Sequence, residues 1–311
     1  MERISTADSY AAVIANMQQA QTQLSTASSQ ISSGETATDL QGYAAQAETL
    51  TAMQTVSNQV TGFISQDSIL ANKLSAQNTG IQQVATATTG AANAITSAIA
   101  EDTGDTLMQS LEVQFQNASE GLNTTFNGEY VFAGGQVNTQ PFNANSTSAL
   151  ASPTTVASTF QNDQQQTSSQ IDQNTTVQTG FLASNLGTPV MTVLQTIQNY
   201  VNTNGAFSNP LTSAQSTFLQ TQVTALNAAA STLNDQAAQN GGIQSQVSNI
   251  QTALTSQQNT VTGMIGNIAG ANVAQASANL QEAQLAIQAS AQVFLALQNS
   301  SLLNVLAASG N

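Results

Sequence analysis

Apolar residues recur three and four positions apart along most of this chain. Tyr10, Val13, Met17, Ala20, Leu24, Ala27 and Ile31 form a first heptad seam, and Ser33-Gly34 then supplies a helix stop or bend. A second seam runs through Met53, Val56, Val60, Phe63, Leu70, Leu74, Ile81, Val84, Ala91, Ile95 and Ala98, with Asp67, Gln77 and Thr88 as its polar members. It predicts helix from Tyr43 to Ala100, although Gly62, Gly80 and Gly90 argue against one straight rod. EDTGD at 101–105 reads as a turn with Asp105 as an N-cap, and Met108, Leu111, Phe115, Ala118 and Leu122 resume the seam.

The period breaks near residue 126. FNGEYVFAGGQVNTQPF (126–142) sets Tyr, Val and Phe around Gly-Gly and before Pro141, which is strand-and-turn chemistry. Residues 143–190, rich in Ser, Thr, Asn and Gln with Pro153 and Pro189, predict a small irregular or β-containing insertion. Helix returns by about residue 191, a loop occupies 202–210, and a long helical region starts near Leu211. Its seam is Ile243, Val247, Ile250, Leu254, Val261, Met264 and Ile268, preceded by Gly241-Gly242. The last seam is Val273, Ala276, Leu280, Ala283, Ile287, Ser290, Phe294 and Leu297, large at one heptad position and mostly small at the other. Leu285, Val293, Leu295, Leu302, Leu303, Val305 and Leu306 lie off that seam, so one partner helix cannot surround the segment. The expected fold is mainly α: a long antiparallel helical coiled-coil bundle of N- and C-terminal segments, with a small β-containing central insertion.

Composition narrows the function. The 311 residues are 40% hydrophobic but only 5% aromatic, without Trp, which argues against a thick aromatic-rich core. Charged residues are 6%, against roughly 25% in ordinary domains. Arg3 and Lys73 are the only basic residues and the net charge is −14, which excludes phosphate-neutralising nucleic-acid binding and attraction to anionic membranes. With no Cys and no His, disulfides, thiolate nucleophiles, imidazole bases and His/Cys metal sites are excluded. The first twenty residues lack a basic stretch followed by an apolar run, and no run of about 18 apolar residues predicts a membrane span.

Glu101, Asp102 and Asp105 sit in a predicted turn without a calcium-loop pattern, and the Gly pairs do not form a phosphate loop. No catalytic, cofactor-binding or metal-ligating residue is expected, and no enzyme activity. Glycosylation patterns at Asn123, Asn145 and Asn174 read as coincidence in a Ser/Thr/Asn-rich chain. Because carboxylates dominate its titration, net charge falls toward zero as pH drops through about 4, which predicts an assembly tolerant of acid.

Three segments resemble the flagellin family, and more narrowly the flagellar hook-filament junction proteins, or hook-associated proteins of the FlgL type. They are RISTADSY (3–10) with LSTASSQISSG (24–34), EGLNTTFNGEYVFAGGQVNTQPF (120–142), and SSLLNVL (300–306). ETATDLQGYAAQ (35–46) departs from the family, which has basic residues and an acidic pair before Pro there.

The resemblance implies a structural subunit joining hook to filament, with a filament-forming flagellin as the alternative. A membrane-inserting secretion translocator is a further one. It implies residues 1–45 with 268–311 as a terminal helical assembly domain, 46–125 with 211–267 as a helical bundle, and 126–210 as an exposed, partly β domain. Axial contacts are expected at Ile4, Tyr10, Ile14, Met17, Leu24, Ile31, Val273, Leu280, Ile287, Phe294, Leu297, Leu302 and Leu303. The implied partners are further copies of the chain in a ring or helical layer, hook-associated proteins, flagellin and an export chaperone. The implied location is the extracellular flagellum, reached by type III export without a cleaved signal. No cofactor, nucleic acid or membrane insertion is expected.

Overall fold

Each apolar stripe can be buried against a neighbour, and Ala, Gln and Leu carry little helix penalty, so the seams become helices. The computed structural model describes residues 2–151 and 155–308, with side chains over 8–151 and 155–299. In chain order it contains α1 (Glu2–Ser33), a 3-10 segment (Leu40–Gln46), α2 (Ala47–Ala100), α3 (Leu107–Leu122), β1 (Thr125–Phe126) and β2 (Glu129–Tyr130). There follow α4 (Thr147–Leu150), a second 3-10 segment (Val156–Thr159), β3 (Ser168–Gln170), β4 (Thr176–Gln178), α5 (Ala183–Asn204), α6 (Ser213–Ala269) and α7 (Val273–Ala308). The expected mainly α fold with a small β-containing middle is what forms. The strands make two antiparallel pairs, β1 with β2 and β3 with β4. Asn127 (φ 52°) and Gly128 (φ 85°) close the first in a two-residue turn, whose left-handed backbone favours Asn-Gly.

The chain folds as two compact units, one of residues 1–60 with 256–311, the other of 61–255. In the first, α1 packs along α7. Gly34 (φ 72°) ends α1, and the turn after it is tied to the turn before α7: Thr36 N donates to Ala269 O (2.7 Å) and Ala271 N to Gly34 O (2.9 Å).

In the second unit, Leu111, Phe115, Ala118 and Leu122 of α3 and Leu186, Val190, Leu194 and Ile197 of α5 bury against Ile81, Val84, Ala91 and Ile95 of α2. Phe142 sits between Phe115 and Phe160, ring centroids 5.9 and 5.0 Å away. Tyr200 stacks on Phe218 and Phe207, at 4.2 and 5.4 Å. The few aromatic residues are thus gathered, and this unit has the aromatic core that the overall composition argued against.

Other expectations are corrected. Asp105 is not an N-cap: Thr106 precedes α3 without a side-chain cap, and Asp105 Oδ2 accepts from Asn209 Nδ2 instead (2.8 Å). Gly62, Gly80 and Gly90 lie within α2, and Gly241-Gly242 within α6, without breaking either helix. At Gly80 the reason is close approach, since an added Cβ would stand 2.8 Å from the Gly121 carbonyl of α3. Helix α5 starts at Ala183 and passes through Pro189 rather than beginning near 191. Proline removes one helical donor and crowds the preceding turn. Burial of Leu186, Val190 and Met191 around it offsets that loss.

Candidate assembly interface

The pairing of α1 with α7 is built on alanine. Ala20 and Ala27 of α1 and Ala276 and Ala283 of α7 are buried. Tyr10, Met17 and Leu24 on α1, and Leu280, Ile287, Phe294 and Leu297 on α7, are half-buried along the same seam. Methyl groups at the buried positions let two helices approach closely, and the larger residues close over the sides. Tyr10 meets Phe294 edge to face, with centroids 5.5 Å apart and an interplanar angle of 77°. These seven sequence-predicted residues therefore already share one seam within a single chain.

The rest of the expected set is placed differently. Ile14, Ile31 and Val273 are exposed, and the side chains of Ile4, Leu302 and Leu303 lie outside the described residues. Beyond the seam, α7 presents Leu285, Val293 and Leu295 at 66%, 49% and 57% exposure. Arg3 is the only basic residue in α1, and Glu282 is the only charged residue of α7. The surface thus offers apolar groups set among amides and hydroxyls, suited to packing and not to ion pairing. Among the described residues no three acidic side chains gather as a metal site. No helix among them is long and apolar enough to cross a membrane.

Residues 4–137 match the bacterial flagellin N-terminal helical region. Over those residues, fewer than half of the chain, the sequence is similar to that region. The family resemblance read from RISTADSY, LSTASSQISSG and the start of the 120–142 motif is borne out there, and SSLLNVL lies beyond the matched residues. No curated protein matches the chain by sequence. Among solved structures, a flagellar hook-associated protein from Vibrio parahaemolyticus is similar at TM-score 0.57 and 13% identity, covering 71% of this chain and 96% of that one. Bacillus cereus FlgL is similar at TM-score 0.54 and 14% identity, over 70% of this chain and 99% of that one. At such identity these two share its fold.

The matched region ends within the 126–142 motif, where the geometry explains the Asn-rich turn. Asn123 Nδ2 donates to Phe142 O (2.9 Å), and Asn123 Oδ1 accepts from Phe142 N (3.0 Å). Both polar atoms of the Asn123 side chain thus take part in this bridge. The buried alanines were visible as the small members of the two terminal seams. Their role as the closest contact was not, because heptad spacing does not say which of two alternating positions lies deeper.

Proposed function

We propose that this protein is a structural, non-enzymatic subunit of the bacterial flagellum that joins hook to filament through its terminal helices. The observation that carries this reading is a match to the flagellin N-terminal region in a chain of which about 70% shares its fold with nearly the whole of a hook-associated protein and of FlgL. The exposed leucines and valine of α7 supply a surface for neighbouring copies. Tyr10, Met17, Leu24, Leu280, Ile287, Phe294 and Leu297 hold α1 and α7 as one assembly-competent pair. Ile4, Ile14, Ile31, Val273, Leu302 and Leu303 extend the contact set. Residues 1–45 with 268–311 form the inner layer, 46–125 with 211–267 the next, and 126–210 face outward. Further copies, hook-associated proteins and flagellin are the partners. An export chaperone accompanies the chain before export.

Labelling of this chain on isolated flagella tests the proposal. Signal confined to the point where hook meets filament is expected. Signal along the whole filament, together with purified protein polymerising alone into long filaments, would assign it instead as a flagellin. That second reading draws on the N-terminal match, which describes the helical region of flagellin itself.

A further inference from the structure

Asp67 is fully buried, and neither oxygen of its carboxylate has a hydrogen-bond partner. It stands on α2 one turn before Leu70, whose side chain, with Leu74, packs against Val247 of α6 and against Ile171 and Val177 of the β3–β4 hairpin. Asn240 Nδ2 and Gln244 Nε2 donate to the Leu74 carbonyl (2.9 and 3.3 Å) and set the register of α6. In that register the α6 residues level with Asp67 fall between Val247 and Gln251, and Asp235 is the single charged residue of α6. On α2 itself, Phe63, Ile64, Leu70 and Ala71 are the neighbours at three and four positions; Lys73, six away, lies on another face. The hairpin contributes one titratable group, Asp172. Its carboxylate accepts from Asn174 N (2.6 Å), Thr175 N (2.7 Å) and Thr175 Oγ1 (2.9 Å), which favours the ionised form. Gln66 Nε2 of α2 donates to Gln170 O of β3 (3.1 Å), and Gln77 Nε2 of α2 holds Thr179 O at the base of the hairpin (3.1 Å), the end about which it would hinge.

We propose that the β3–β4 hairpin is a proton-controlled flap: it lies closed on α2 and α6 while Asp67 is protonated, and opens when that carboxyl ionises. A carboxylate without donors in an apolar seam is costly, whereas a carboxylic acid is tolerated. Burial first, and then the facing Asp172 charge, push Asp67 up from 3.8 to about 6. The closed form therefore holds its proton more tightly than an open form, in which water reaches the side chain. Closure is fully favoured below the ordinary value of 3.8, weakens as pH rises toward about 6, and stays weak above it. No ion other than the proton is needed, and the proton passes to bulk water.

Amide exchange of the full-length protein, corrected for the intrinsic effect of pH, tests this. The reporters are Ile171 N, bonded to Thr175 O at 2.9 Å, and the amide of Val177, opposite Ser169 in the ladder; the side chains of Ile171 and Val177 pack against α2 and α6. Between about pH 4.5 and about pH 7.5, their protection should fall ten- to roughly a hundredfold while amides of α3 and α5 hold theirs. Asp67→Asn should keep the hairpin protected at both values. Equal wild-type protection at the two values, or the same fall in Asp67→Asn, would overturn the proposal. So would closure restored at about pH 7.5 by millimolar calcium, because a bound cation would then be the latch. Should Asp67→Asn fail to fold, the carboxyl carbon shift of Asp67 decides. A midpoint near 6 that drops in Asp172→Asn supports the flap, and one near 4 refutes it.

Discussion

Three polar residues interrupt the apolar seam of α2, and each is buried by a different means. Thr88 Oγ1 donates to Val84 O of its own helix (2.7 Å), the usual back-bond of a helical threonine. Gln77 Nε2 donates to Val131 O and Thr179 O (3.2 and 3.1 Å) and so pins two loops to the helix. Asp67 has no such donor, and its cost depends on pH. Its value is raised when folded, so this residue favours the folded state below about 4, and that favour is lost as pH rises through about 6. Asp67→Asn should therefore be more stable than wild type at pH 8, by about 1–3 kcal/mol, and converge with it near pH 4 in urea unfolding. Phe142→Ala removes the ring between Phe115 and Phe160 and should cost about 3–5 kcal/mol by the same measurement. Phe142 is fully buried, so little collapse is available to offset the cavity.

The helices differ in what they leave uncovered. Helix α3 buries a full face of Leu107, Leu111, Phe115, Ala118 and Leu122. Helix α7 buries Ala276 and Ala283 and leaves Leu285, Val293 and Leu295 outward, which is incomplete burial for a segment so poor in charge. A carboxylate at Phe294 would face Tyr10 across the seam. Phe294→Asp and Leu297→Asp should each abolish incorporation into flagella, while circular dichroism and the exchange pattern of residues 61–255 remain as in wild type. Leu295→Asp acts on the outward side and should weaken assembly without loosening α1 from α7, read as unchanged amide protection of α1. Incorporation at wild-type levels by all three variants would remove these residues from the interface.

For the whole chain, the governing quantity is a net charge of −14 carried almost entirely by carboxylates. Protonation toward the sequence pI of about 4.1 removes repulsion between copies, and the protonated Asp67 is stabilising in the same range. An assembled polymer should accordingly survive at pH 4 as it does at pH 7, checked by sedimentation after acid exposure. Disassembly at pH 4 alone would show that ionised carboxylates make contacts the assembly needs.

The spacing of apolar residues determined the long helices and the pairing potential of both ends, and the Gly and Pro residues set among them marked the stop at Gly34 and the change of structure near residue 126. Periodicity suffices there because a stripe on a helix has one low-energy use, which is burial. Tertiary structure alone decided matters that join distant segments. It placed Phe142 between Phe115 and Phe160, turned the small seam positions into the closest α1–α7 contact, and carried α5 through Pro189. It also set Asp67 beneath a hairpin about a hundred residues away in sequence. A polar seam position reads the same in sequence whether it finds a donor or not; only the packed chain fixes which atoms come within bonding distance, and so which residue is left carrying an unshared charge.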